Sequence, residues 1–486
     1  MKTFFGSVAL ITAFAVLTRG MGFLFRIILS RVLGAELLGI YQIAFSFFMV
    51  FLTVIASGLP LVISRQISSG KGNHKALVRS GLIISLALSI LIIFLVFFGQ
   101  PLLKSLLTDD RSYTILIALV PAIFAFSIYT VLRAVWWGEK RYFLLGASEL
   151  AEQLVRVVLF FIFLTFSSLF ADLAVLTAVA FTVACIVSAV LVVVLYVKTK
   201  NNPSKIQSRD SNIATVLRTS SPVTIVRVLT VIAFPIIAVV VPLRLVAAGW
   251  DSTNAVAHFG IAVGMALPLL SIPQTVISSI AVALVPELSK ANSNRDYTAV
   301  TKKISSCIKL TLLVNLTLLP LFIALGPGIG MFLFNNVTAG EYLRQSAWIM
   351  IPMSLSLLTN AILNSLGRET RAMVHYVIGS IFLFLSIWFL PQFIGIGSLI
   401  VGIGICMSLS ALLNIGTIVK VTKSNFDIAQ TLFKYAFAGL MIGIASWILF
   451  GWLGFVPLFF RLGFSSLPAL AMVLFIDKSM LKRRSG

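Results

Sequence analysis

The chain has 486 residues, of which 59% are hydrophobic and only 11% charged, with a mean hydropathy of +1.07. Soluble globular proteins carry about 25% charged residues, so this balance excludes a water-soluble enzyme or binding module. The formal net charge of +22 invites a nucleic-acid reading, but a polytopic membrane protein also collects basic residues, at the cytoplasmic ends of its helices.

In chain order, apolar runs of about 20 residues cut by short polar gaps predict fourteen spans. They cover residues 4–33, 38–63, 80–99, 113–137, 144–166, 173–197, 221–247, 255–286, 307–334, 345–366, 373–391, 397–419, 434–451 and 455–476. Lipid offers the backbone no hydrogen-bond partners, so such runs must be helices. The expected fold class is an all-α polytopic membrane protein. At the start, Lys2 and the small-x-small triplet Ala13-Phe14-Ala15 imitate a cleaved signal. The apolar character runs on to Leu33, so a retained first span is expected. Pro235, Pro242, Pro268 and Pro273 crowd spans 7 and 8. An interior proline removes a helix hydrogen bond, and the resulting bends could serve a cavity or be simple packing kinks.

With the N-terminus inside, the gaps alternate. Inward gaps, with Lys309 and Lys434 at the inner ends of spans 9 and 13, then hold 26 basic residues, and outward gaps hold only Lys104, Arg111 and Arg344. This asymmetry places both termini in the cytoplasm and makes a nucleic-acid role unnecessary.

A faint repeat is visible. Pro60-Leu61-Val62-Ile63-Ser64-Arg65 ends span 2 and Pro286-Glu287-Leu288-Ser289-Lys290 ends span 8, an offset of 226. Gly138-Glu139-Lys140-Arg141 follows span 4 and Gly367-Arg368-Glu369-Thr370-Arg371 follows span 10, an offset of 229. Six spans preserve orientation, so the halves are expected to be parallel repeats about a pseudo-twofold axis along the membrane normal. The expected organisation is a first lobe at 1–197 (spans 1–6), a cytoplasmic linker at 198–220 and a second lobe at 221–420 (spans 7–12). Residues 421–486 add spans 13 and 14 and a basic tail.

Eight arginines remain inside spans: Arg19, Arg26, Arg31, Arg133, Arg156, Arg227, Arg244 and Arg461. Only Glu149 and Glu152 among the acids lie well inside one. A cation in hydrocarbon costs about 3 kcal/mol on insertion scales, so most of these must face a wet cavity or a partner. Arg19 and Arg26 are seven apart and share one helix face. Arg31 is turned away from them and is expected to snorkel outward, near Glu36. Glu152 and Arg156 are spaced i,i+4 in the favourable order; a self-neutralising pair and a substrate role are equally consistent. Arg133 lies about a turn from the inner end of span 4, where it could snorkel or guard an inner mouth. Arg227 and Arg244 lie toward opposite ends of span 7, and Arg461 is expected to be structural. The candidate substrate-binding set is Arg19, Arg26, Arg227, Arg244, Arg156, Glu152 and Arg133. Cys185, Cys307, Cys406, His74, His258 and His375 are scattered, with no metal-ligand spacing and no disulfide framework. No metal or cofactor is expected. There is no P-loop and no HExxH or Gx[S]xG catalytic motif, so an enzyme is not expected.

The stretches TRGMGFLFRIILSRVLGAELLGIYQ, SGLPLVISRQIS, ELAEQLVRVVLF (149–160) and SIAVALVPELSK (279–290) resemble stage V sporulation protein B-like members of the polysaccharide-transporter branch. That branch belongs to the multidrug/oligosaccharidyl-lipid/polysaccharide (MOP) exporter superfamily, and the chain is also similar to MurJ-type lipid II flippases. The resemblance implies a fourteen-helix, two-lobed flippase fold in the bacterial plasma membrane. It implies cavity arginines on the first helix, matched directly by Arg19 and with one residue of offset by Arg26; the acid that follows that helix in the MurJ type has no counterpart in register. The expected activity is export of an undecaprenyl-diphosphate-linked sugar, a peptidoglycan precursor or a related cell-wall or spore-cortex intermediate. The expected partners are that lipid-linked oligosaccharide, membrane lipids and cell-wall synthesis proteins. The alternatives are a cation-coupled multidrug exporter of the same superfamily, disfavoured by eight arginines against two acids, and a lipid-linked glycan polymerase or ligase, disfavoured by the plain outer gaps.

Overall fold

A computed structural model of the chain describes residues 2–69, 74–107, 109–169, 172–199, 213–294, 297–422, 428–454 and 456–469, and every regular element among them is helical. The basic tail, much of the linker and part of the last expected span lie outside the described residues. Two compact units form, Met1–Leu243 with Ser252–Gly260, and Arg244–Asp251 with Ile261–Gly486.

The first unit holds α1 (Lys2–Ala56), α2 (Gly58–Ser68), α3 (His74–Phe98), α4 (Gln100–Leu106), α5 (Asp110–Gly138), α6 (Tyr142–Thr165), α7 (Leu173–Thr199), α8 (Ile213–Val231), most of α9 (Ala233–Ala247) and α10 (Ser252–Phe259). The α1 element is two limbs divided at Gly34, whose φ of 70° and ψ of −175° are open only to glycine. That break is the short gap expected between spans 1 and 2. The α7 helix lies against α5, and its small residues Ala174, Ala178, Ala184 and Ser188 are buried; small side chains let membrane helices approach closely. Gly39 plays the same part for the second limb of α1, since a Cβ there would strike the Val256 carbonyl in α10.

The second unit continues, after a π-helical stretch at Gly260–Ala266, with α11 (Leu267–Leu270), α12 (Ile272–Ser293), α13 (Tyr297–Phe334), α14 (Val337–Ser346), α15 (Met350–Ser365), α16 (Glu369–Phe389), α17 (Pro391–Ile394), α18 (Gly397–Thr422), α19 (Ile428–Trp452) and α20 (Leu458–Ser465). Three of the four clustered prolines coincide with irregularities. A proline ring clashes with the carbonyl four residues earlier. For Pro235 that is Val231, where α8 stops; for Pro268 it lies in the π-helical stretch; for Pro273 it is Leu269, beside the break at Ser271. Pro242 sits within α9 without interrupting it.

Eleven helices among the described residues are long and apolar enough to cross a membrane. This is fewer than fourteen for identifiable reasons. One of the eleven, Ala13–Ser68, takes in expected spans 1 and 2 together. The α6 helix carries Glu149, Glu152 and Arg156 and is not among them, and the last span is only partly described.

The internal pairing of helices recurs between the units. In the first, α5 contacts α2, α3 and α7, and α6 contacts α7; in the second, α15 contacts α12, α13 and α18, and α16 contacts α18. The turn after α5 and the turn after α15 are the same structure. Arg141 N donates to the Trp136 carbonyl and Arg368 N to the Leu363 carbonyl, both at 2.8 Å, while Lys140 N and Gly367 N close the inner bond at 3.2 Å. Lys140 and Gly367 are both left-handed, with φ of 59° and 68°, as a Schellman turn requires. The offset here is therefore 227, and Lys140, not Gly138, is the equivalent of Gly367. Residues 213–243 cluster with the first unit; the lobe limits drawn from the repeat, 1–197 and 221–420, we retain as a proposal.

The second unit also contains a polar knot. His375 on α16 meets the Asn414 Oδ1 on α18 at 2.7 Å, and Asn414 Nδ2 donates to Thr359 Oγ1 at 3.1 Å and Asn360 Oδ1 at 2.8 Å, both on α15. The histidines scattered along the sequence thus find partners in space: His375 here, and His74, which lies 3.6 Å from Glu139. Neither partner is near in sequence, so only folding reveals them. Cys185, Cys307 and Cys406 are free thiols.

Candidate functional site

The α6 helix presents Leu145, Ser148, Glu152 and Arg156 along one stripe, because residues three and four apart stack on one helix face. Leu145, Ser148 and Glu152 are buried. The Glu152 side chain is only 9% exposed and Arg156 16%, and they form an ion pair at 2.5 Å. Arg156 also lies over the Phe181 ring of α7, 4.6 Å from its centre, and reaches Gln153 Oε1 at 3.4 Å. One turn earlier, Glu149 pairs with Arg133 of α5 at 3.1 Å. Arg133 also donates to the Leu145 carbonyl at 3.1 Å and stacks on Tyr129, 4.9 Å away.

Two buried tyrosines lie among these charges. Tyr129 lies within electrostatic reach of Arg133, Glu149 and Glu152, and Tyr41 within reach of both Arg156 and Arg26. An aromatic wall lines the same place. Phe25 of α1 meets Phe160 of α6 edge-on at 5.3 Å, Tyr41 stacks with Phe45 at 5.5 Å, and Phe45 meets Phe181 edge-on at 5.7 Å. The result is a polar chain inside an apolar unit: the ion pairs Glu149–Arg133 and Glu152–Arg156, with Tyr129 beside them and Arg26 as a third guanidinium near Tyr41. It carries three cations against two anions. Such an excess in a desolvated setting favours an anionic ligand, because each guanidinium presents a planar fork of donors suited to phosphate oxygens.

The seven expected residues therefore divide. Arg26, Arg133, Glu152 and Arg156 are gathered in the first unit. Arg26 is half-buried, while Arg19, seven residues earlier on the same limb, is exposed, as is Arg227 on α8. Arg244 belongs to the second unit, where its Nε donates to the Trp388 carbonyl at 2.8 Å and its plane covers the Trp388 ring at 4.9 Å. Glu36, expected beside Arg31, pairs with Arg111 at 2.6 Å. Arg461 is held within spans 13 and 14, with Nε on the Phe450 carbonyl at 2.6 Å. Sequence reasoning missed Tyr41, Tyr129 and Phe181. Tyr129 was accessible, being i−4 from Arg133, whereas Tyr41 and Phe181 reach the site only through packing.

The profile of the polysaccharide biosynthesis protein family matches residues 5–292. Stage V sporulation protein B of Bacillus subtilis (strain 168) is 25% identical over 453 residues, covering 90% of this chain and 87% of its own. Sporulation protein YkvU of the same organism is 24% identical over 330 residues, 64% of this chain and 71% of its own. Among solved structures, the lipid II flippase MurJ in an inward closed conformation superposes with a TM-score of 0.69 at 15% identity, over 97% of this chain and all of its own. An inward-facing multidrug resistance MATE family transporter of the MOP superfamily superposes with a TM-score of 0.68 at 18% identity, over 85% and 95%. At these identities the structural likeness is one of fold, and it is the MOP transporter fold. With over half of its length matched by the family profile, the chain belongs to the polysaccharide biosynthesis protein family.

Proposed function

We propose that this chain is a flippase that carries an undecaprenyl-diphosphate-linked sugar, a peptidoglycan precursor or related cell-wall or spore-cortex intermediate, from the inner to the outer leaflet. The observation that carries the reading is the cation excess of the polar chain around Arg26, Arg133 and Arg156, with Arg19 farther along the same limb. A diphosphate headgroup crossing hydrocarbon needs such donors, and a lipid tail needs none. Alternating access would expose the headgroup first inward and then outward, with Arg227 and Arg244 as further contacts along the route. An inside-negative potential favours outward movement of an anion by about 2.3 kcal/mol per charge per 100 mV, so this chain need not hydrolyse ATP. Both termini are assigned to the cytoplasm from the charge asymmetry of the gaps. The fold shared with a lipid II flippase and the sequence relationship to sporulation proteins support this reading. The test is reconstitution in vesicles with labelled lipid-linked oligosaccharide: protein-dependent flipping without chain extension is expected, and lengthened product would refute it. The fold likeness to a multidrug transporter favours a second reading, export of organic cations; efflux of a cationic dye with no flipping would select it.

A further inference from the structure

The two arginines at the heart of the polar chain share an incomplete geometry. An arginine receives an oxyanion side-on through Nε–H and Nη2 together. In Arg133 and Arg156, Nη2 is taken by Glu149 and by Glu152 respectively, while each Nε is buried and has no hydrogen-bond partner in the protein. Each plane is held by a ring, Tyr129 and Phe181. Another arginine of this chain, Arg111, shows the completed arrangement. It sets Nε and Nη2 together on the Asp109 carboxylate, at 3.1 and 2.9 Å to Oδ2. Arg141 places Nε on Glu139 at 2.9 Å, and Arg244 and Arg461 place theirs on backbone carbonyls. Leaving a buried donor unmet costs about 1–3 kcal/mol, and here two forks are each half-filled.

We infer that Glu149 and Glu152 are placeholders, and that phosphate oxygens of an anionic cargo take over the Nε–Nη2 edges of Arg133 and Arg156. This rests on the flippase reading for the identity of the cargo, and adds the groups that bind it and release it. Without a competing carboxylate, a diphosphate on these forks would be held too tightly to leave. With Glu152 on the same helix as Arg156, release needs only a side chain swinging back. The exchange is graded: Glu152 is nearly buried and Glu149 about half exposed, so Glu152 is the stronger competitor.

The test measures binding of inorganic pyrophosphate to the purified full chain by titration calorimetry at fixed ionic strength, with vesicle flipping assayed in parallel. Glu152→Gln is expected to tighten pyrophosphate binding about tenfold, the scale of one charge-assisted hydrogen bond. Glu149→Gln is expected to tighten it roughly threefold, as for an exposed pair, and Arg156→Lys, which lacks the fork, to weaken it about tenfold. Should Glu152→Gln fail to fold, Glu152→Asp, with a shorter carboxylate, and the exposed Glu149→Gln carry the same comparison. Affinity unchanged in the glutamate variants, as when water alone meets the Nε donors, overturns the inference; so does wild-type affinity in Arg156→Lys, or no pyrophosphate binding by any variant. Flipping that persists with unchanged affinities sinks the placeholder role alone. Tightened pyrophosphate binding in a protein that flips no lipid-linked oligosaccharide supports the placeholder role and sinks the flippase reading instead.

Discussion

Replacing Asn414 by leucine should loosen the second unit more than replacing Asn315, the other buried asparagine among the described residues. The Asn414 side chain is fully buried and makes three side-chain bonds, to His375, Thr359 and Asn360, tying α18 to α15 and α16. Interhelical hydrogen bonds in membranes average about 0.6 kcal/mol in double-mutant cycles, so three amount to roughly 2 kcal/mol. The cost is not offset by the apolar replacement, because His375 keeps a ring nitrogen aimed at a methyl group. Asn315 provides the internal control. It too is fully buried, but it spends its amide on the Thr311 carbonyl of its own helix and receives one bond from another helix, from Ser354 at 3.0 Å. Asn315→Leu should therefore cost about 0.6 kcal/mol. Equilibrium unfolding of the purified protein in mixed micelles, followed by circular dichroism, gives both values. Equal losses for the two variants would refute the bookkeeping, and so would an Asn414→Leu protein as stable as wild type.

Further outcomes test the repeat, the site and the topology. Lys140→Gly should stabilise the protein by about 1 kcal/mol, because a left-handed non-glycine residue carries that order of strain, and Gly367→Ala should destabilise it by a similar amount; the same micelle titration reads both, and a destabilised Lys140→Gly or a stabilised Gly367→Ala would refute the shared turn. Arg19→Ala should abolish complementation of a deletion strain while the protein still inserts, whereas Arg461→Ala should leave transport nearly intact; normal complementation by Arg19→Ala would remove it from the route. A membrane-impermeant maleimide applied to intact cells should label Lys104→Cys but not Lys140→Cys, and the reverse pattern would invert the assigned topology.

Much of this molecule is legible in its sequence because lipid imposes a strict local rule. A backbone in hydrocarbon must satisfy itself, so the apolar runs, the glycine at 34 and the clustered prolines report spans, a break and distorted helices without any tertiary information. The Glu152–Arg156 pair is equally local, since both lie on one helix four residues apart. The repeat is visible only faintly in the sequence, because a turn constrains backbone angles rather than side chains: lysine and glycine fill the same left-handed position at 140 and 367. What the sequence could not decide is which charges meet. Arg133 finds Glu149 across two helices, Glu36 meets Arg111, and His375 finds Asn414. Those choices depend on how helices are rotated and staggered against one another, which small side chains and ring packing determine in three dimensions. Composition by itself determined that this protein lives in a membrane and must account for its buried arginines. The tertiary structure alone decided that two of them wait on carboxylates with half of each fork unfilled, because a donor's partners are set by packing and not by its neighbours in the chain.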